Sequence, residues 1–120
     1  MLYEEKIIET IPVGPLGLIP LKGISELGEK VDRYLVEWRH ERESEHKSTI
    51  AFAGYQRDSY IIEAGTPRFG SGEGKGTINA SVRGDDLYIM VDVCNYSLTY
   101  SLCGMTNHMS PDDHFQDLKR

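Results

Sequence analysis

A chain of 120 residues is long enough for one domain and too short for two. Its composition, 39% apolar and 27% charged, is that of a globular protein with a core, and its net charge of −6 argues against nucleic acid or an anionic membrane as partner. No apolar run nears the length of a membrane span, and the mixed charge of Met1 to Thr10 is unlike a secretory signal, so a cytoplasmic location is expected.

Residues 1–10 are compatible with a strand or a short helix. Ile11 to Gly17 is punctuated by proline and glycine and predicts irregular backbone. Leu18-Ile19-Pro20-Leu21 predicts a short strand whose proline belongs at an edge or an end. Ser25 opens the clearest helix as its N-cap, with Glu26 and Glu29 at the positive end of the dipole. Leu27, Val31, Tyr34, Leu35 and Trp38 recur at helical spacing, a stripe expected to face the core. Arg39 to Lys47 mixes acids and bases around His40 and His46, as a solvated helix end or a charged loop does. Ile50 to Ala53 and Tyr60 to Ala64 read as strands joined by the polar Gln56-Arg57-Asp58.

Thr66 to Gly76 is a glycine-rich loop. It fails the P-loop pattern at both ends, since Phe69 and Gly76 stand where a glycine and a Ser or Thr are needed. The dinucleotide pattern fails too, at Lys75 or at Thr77 according to the frame. Ile78, Ala80 and Val82 then alternate with polar residues as in a half-buried strand. Arg83 to Asp86 has turn chemistry, and Leu87 to Val91 predicts a second, more buried strand. From Asp92 to Met109 no element is assigned, although the stretch is long for a loop. Ser110-Pro111-Asp112-Asp113 is a helix start with an acid in capping-box register, and Phe115 and Leu118 share a face. A helix opening so close to Arg120 suggests that residues 1–120 are an incomplete N-terminal domain of a longer protein. Cys94 and Cys103 fit neither a redox pair nor a zinc ribbon, so free thiols are expected; His108 and Cys103 lack the spacing of a metal site.

Arg68-Phe69-x-x-x-Glu73, followed without a gap by Ser81-Val82-Arg83-Gly84-x-Asp86 and an apolar strand, resembles the amino-terminal domain of ribose-phosphate diphosphokinase (phosphoribosyl pyrophosphate synthetase). The resemblance covers roughly residues 66–92. It implies an α/β fold: a partial phosphoribosyltransferase-like, Rossmann-like domain with a mostly parallel sheet and an antiparallel hairpin. It further implies transfer of diphosphate from ATP to ribose 5-phosphate with Mg²⁺, in a homo-oligomer. The family's metal ligands and ribose-phosphate loop lie downstream of the matched region, so none is carried over, and the segment alone is expected to be inactive. ATP binding is carried over to Phe69, Ser71 and Glu73, reaching into a neighbouring subunit's site, and an allosteric phosphate site to Ser81 and Arg83. Gly70 and Ser71 depart from the family, which has serine and then Asp or Asn. On the residues alone, Phe69 is as compatible with plugging a sheet end, Glu73 with a solvated loop acid, and Arg83 with pairing to Asp85 or Asp86. Two other readings stand beside this one: a non-catalytic diphosphokinase-like assembly or regulatory domain, and an unrelated small-molecule-binding α/β domain.

Overall fold

The computed structural model describes residues 14–44 and 57–120. Residues 1–13 and 45–56, with the strand expected at Ile50 to Ala53, lie outside that description.

The described chain is mixed α/β. Strand β1 (Leu16–Pro20) leads into helix α1 (Ser25–Ser44), followed by the short strands β2 (Ala64–Gly65) and β3 (Thr77–Ile78). Then come β4 (Asp86–Met90), β5 (Thr99–Leu102), β6 (Met105–His108) and helix α2 (Pro111–Lys119). β1 and β4 pair in parallel, from Leu16 opposite Asp86 to Pro20 opposite Met90. On the other side of β1 the segment Tyr60–Ile62 adds a parallel bridge at Ile61, with Leu18 N donating to Tyr60 O and Ile62 N to Leu18 O, both at 2.8 Å. β1 is thus the central element, which is why Leu16, Leu18 and Ile19 are all buried. Pro20 sits at its end, where the missing N–H costs no ladder bond. Leu16 and Gly17, expected to be irregular, belong to the strand.

Leu16, Leu18 and Tyr60 form the core cluster, and Val31, Leu35 and Val36 of α1 pack against it. Full burial of one such side chain is worth about 1.5–3 kcal/mol. Two features fix the rotation of α1. Gly28 lies so close to Pro20 that a Cβ there would come within 2.6 Å of the proline ring. Asp32, itself buried, accepts from Tyr60 N at 2.6 Å and from Ser59 Oγ at 2.8 Å. The line Gly28–Asp32–Leu35 therefore faces the sheet, and Leu27, Tyr34 and Trp38, roughly a quarter turn away, are exposed. The expected core stripe is only half right: Val31 and Leu35 pack inward, the other three do not. The helix also starts one residue early, since Ile24 O already accepts from Gly28 N at 2.9 Å.

β4 is not the more buried strand that its apolar run suggests. It pairs with β1 alone among the described residues, and Tyr88 and Ile89 are exposed. The unassigned stretch contains a hairpin. β5 and β6 pair antiparallel from Thr99 opposite His108 to Leu102 opposite Met105. The two-residue turn between them places Cys103 at φ 51° and Gly104 at φ 75°, the left-handed pair that a tight hairpin turn requires. α2 begins as its sequence says: Ser110 Oγ accepts from Asp113 N at 3.2 Å, and Asp113 accepts in return from Ser110 N at 2.9 Å. Its inward residue is His114, 2% exposed, whose Nε2 donates to Asn95 O at 2.6 Å; Phe115 is exposed. Cys94 and Cys103 are free and exposed.

Candidate functional site

The glycine-rich stretch folds as the tip of a hairpin. β2 and β3 pair at Ala64–Ile78 and Gly65–Thr77, and an antiparallel bridge joins Arg68 to Gly74 further out. Lys75 N donates to Pro67 O at 2.8 Å and Phe69 N to Glu73 O at 2.7 Å. Gly72 N closes the turn on Phe69 O at 2.9 Å, and Gly72 takes φ 87°, the left-handed position of a three-residue hairpin loop.

This geometry brings three of the expected site residues together. Phe69 and Glu73 stand directly opposite one another, so their side chains rise on one face of the hairpin. Ser71 is between them at the tip. All three are exposed, Phe69 at 54%. A flat apolar ring beside a carboxylate and a hydroxyl is a surface on which a purine can stack and be read at its edge.

Arg68 holds the opposite face. Its Nη1 donates to Gly72 O at 3.0 Å, and the guanidinium carbon lies 4.1 Å from the centre of the Tyr100 ring. Its Nη2 is 3.5 Å from Asp117 Oδ1, an ion pair without a hydrogen bond, since Nη2 is buried and has no hydrogen-bond acceptor. Burial pushes the Asp117 carboxyl above its ordinary pKa, while Arg68, His114 and Arg120 pull the other way. Arg120 Nη1 donates to Gly74 O at 2.8 Å. The C-terminal end of α2 presses so closely that a Cβ at Gly76 would come within 2.7 Å of the Arg120 backbone. Neither Tyr100, Asp117 nor Arg120 was singled out from the sequence. The available signal was the glycine spacing: Gly72, Gly74 and Gly76 fall on one face of an extended chain, and a face without Cβ atoms admits close packing.

Ser81 and Arg83 occupy a separate place. The strand expected through Val82 ends at Ile78, because the last bond of that ladder is Asn79 N to Glu63 O at 3.0 Å. A turn follows, with Asp85 N donating to Val82 O at 3.0 Å and Gly84 at φ 80°. Ser81 and Arg83 are exposed. Asp85 does not pair with Arg83: its carboxylate faces Arg57 at 3.9 Å. Arg83 has no ion pair among the described residues.

No known family model, curated protein or solved structure matches this chain. Among the described residues no three His, Cys, Asp or Glu side chains converge as a metal centre. No described helix is long and apolar enough to cross a membrane. An open groove of about 700 Å³ runs along α1, lined in part by Lys30, Arg33, Tyr34 and Glu37; none of the five expected site residues lines it.

Proposed function

We propose that residues 1–120 are the N-terminal part of a ribose-phosphate diphosphokinase, a partial Rossmann-like domain that contributes to the binding of ATP and to subunit assembly. In that enzyme the β,γ-diphosphoryl group of ATP passes to the 1-hydroxyl of ribose 5-phosphate, leaving AMP and phosphoribosyl pyrophosphate. Mg²⁺ neutralises charge on the transferred group when bound. The metal and ribose-phosphate groups belong to residues outside this sequence, so the chain's own part is to hold the adenine. Phe69 stacks on the ring, Glu73 accepts from the exocyclic amine as carboxylates do from base amino groups, and Ser71 bonds the ring edge. Ser81 and Arg83 hold an anion remote from that platform.

The observation that carries this reading is the shared exposed face of Phe69 and Glu73, on a hairpin braced from behind by Arg68.

The test uses the intact parent enzyme. Base–aromatic stacking is worth about 1–3 kcal/mol, so Phe69→Ala should raise KM for ATP by about 5- to 150-fold and leave KM for ribose 5-phosphate within about twofold. Glu73→Ala should narrow the preference for ATP over GTP, which lacks the exocyclic amine at that position. Equal changes in both KM values, or an unaltered ATP to GTP ratio, contradict the reading.

A further inference from the structure

The platform hairpin carries a cation that adenine binding does not use. Its register is continuous: Gly65 pairs with Thr77, Pro67 with Lys75 through Lys75 N donating to Pro67 O at 2.8 Å, and Phe69 with Glu73. Successive residues of a strand face opposite ways, and exposure alternates to match. Pro67, Phe69, Glu73 and Lys75 are exposed, whereas Thr66, Arg68 and Gly74 on the other face are half-buried or buried. One exposed face therefore runs from Phe69 and Glu73 near the tip to Pro67 and Lys75 one pair below, a step of about 7 Å along the strand. Neither Lys75 nor Glu73 forms an ion pair among the described residues, although they share this face. The other acid of the face, Glu63, lies two pairs further down at the hairpin base, where its carbonyl accepts from Asn79 N. Lys75 is the one cation of this face among the described residues.

We infer that Lys75 is the phosphate contact of this platform, meeting the first phosphate of a purine nucleotide, so that the hairpin selects nucleotides over nucleosides. The inference rests on the adenine reading of Phe69 and Glu73. With the ring on Phe69 and its edge read by Glu73 and Ser71, the sugar points down the hairpin. There the exposed ring of Pro67 offers an apolar surface for the ribose. Lys75 stands directly across from Pro67, about 5.5 Å away between Cα atoms. Its ammonium is a compact charge with three donors on a flexible stem, able to follow a phosphate without a fixed geometry. The reverse orientation sends the phosphate past the tip, where Gly70, Ser71 and Gly72 carry no charge, and keeps it beside the Glu73 carboxylate. No second cation continues the row below Lys75, so later phosphates gain nothing from this face.

The test titrates adenosine, AMP and ATP against the full chain at low salt, following the Phe69 and Lys75 amide resonances by NMR. AMP should bind about fivefold more tightly than adenosine, as a solvent-exposed charge pair allows, and added salt should erase the difference. Lys75→Gln should bring AMP down to the affinity of adenosine and leave adenosine itself unchanged. Lys75→Arg should keep most of the preference. ATP should lose the same factor as AMP in Lys75→Gln, because only the first phosphate reaches this side chain. Phe69→Ala should weaken adenosine and AMP alike. Equal affinities for AMP and adenosine, or a preference for AMP that survives Lys75→Gln, overturn the inference and leave the adenine platform standing. So does a Lys75→Gln variant that loses adenosine as well, or one that weakens ATP far more than AMP. Failure to bind either ligand, or binding indifferent to Phe69→Ala, overturns the platform and the inference together.

Discussion

The Phe69 hairpin and the Val82–Asp85 turn are both chain reversals with a left-handed glycine, at Gly72 and Gly84, and both carry expected site residues. They are held in opposite ways. The hairpin is gripped from behind by a half-buried arginine, a tyrosine face and the end of α2. The turn is closed by one backbone bond, flanked by Asp86 N donating to Pro15 O at 2.7 Å, and its arginine pairs with no carboxylate among the described residues. A platform that must stack on a flat ring gains from being fixed before the ligand arrives, because ordering a loop costs binding energy. A single guanidinium meeting a mobile anion needs only to be free.

The largest effect expected from this contrast is at Arg68. Arg68→Ala removes the bond to Gly72 O and the contact with Tyr100, and leaves Asp117 without that cation. Losing one partner of a largely buried pair should lower unfolding free energy by about 2–3 kcal/mol, measured by urea denaturation. Exchange of the Phe69 and Lys75 amides should accelerate far more than exchange of the Leu18 amide in the core. Equal acceleration at all three removes the distinction between a braced hairpin and the rest of the fold.

Glycines sharpen it next. Gly76→Ala places a Cβ within 2.7 Å of the Arg120 backbone, and overpacking of this kind should cost about 1–3 kcal/mol. Gly70→Ala meets nothing within 4 Å and should change stability by less than about 0.5 kcal/mol. The same substitution six residues apart thus separates the braced face from the free tip. Similar losses at both positions would show that flexibility, and not the close approach of α2, is what the glycines supply.

A smaller effect should appear in the pH dependence. The folded-state pKa of Asp117 is raised, chiefly by burial, from an ordinary value of 3.8. As pH rises, the unfolded chain gives up this proton before the folded protein does. The group's contribution to stability is therefore fully present below 3.8 and is lost as pH rises through the folded value. Asp117→Asn removes that decline. Its unfolding free energy relative to wild type should be constant below 3.8 and should improve across the window above it. A difference that does not vary with pH contradicts the burial of this carboxylate.

How much of this was legible in the sequence depended on how local the cause is. The capping box of α2 lies within four consecutive residues and is found where those residues put it. Leu18 to Pro20 of β1 and the Tyr60–Ile62 segment announce themselves by apolar runs that need no partner to be recognised, whereas Leu16 and Gly17, behind Pro15, do not, and the segment reaches only a bridge at Ile61. The rotation of α1 does not, because it is set by Gly28 against Pro20 and by Asp32 reaching Tyr60, contacts that link separate elements. β5 does carry a local signal, the strict alternation of Tyr96, Leu98, Tyr100 and Leu102 with Ser97, Thr99 and Ser101, whereas β6, Met105-Thr106-Asn107-His108, has none. The Cys103–Gly104 turn that follows β5 is a second signal of the hairpin. At the candidate site, the motif spacing led to Phe69, Ser71 and Glu73, while Tyr100 and Asp117 lie 32 and 49 residues beyond Arg68 in the chain and no short pattern links them.

The smallest expected effect on stability is the one that tests the turn itself. Arg83 is exposed, and Asp85, the acid nearest it in the turn, is turned toward Arg57. An exposed arginine with no ion pair among the described residues contributes little to folding, so Arg83→Ala should shift unfolding free energy by less than about 0.5 kcal/mol. Were the side chain a staple of the turn, the loss would be larger and would fall with added salt, as surface pairs do. The functional expectation runs the other way. A planar guanidinium binds phosphate through two parallel hydrogen bonds, so in the proposed parent diphosphokinase Arg83→Ala should weaken activation by phosphate and inhibition by ADP. It should leave KM for ATP within about twofold, because Phe69 and Glu73 stand on a different reversal. Arg83→Lys keeps the charge but not the fork, and should recover only part of the response. An unaltered response to both effectors in Arg83→Ala reduces this residue to a solvated turn position, whatever the hairpin does.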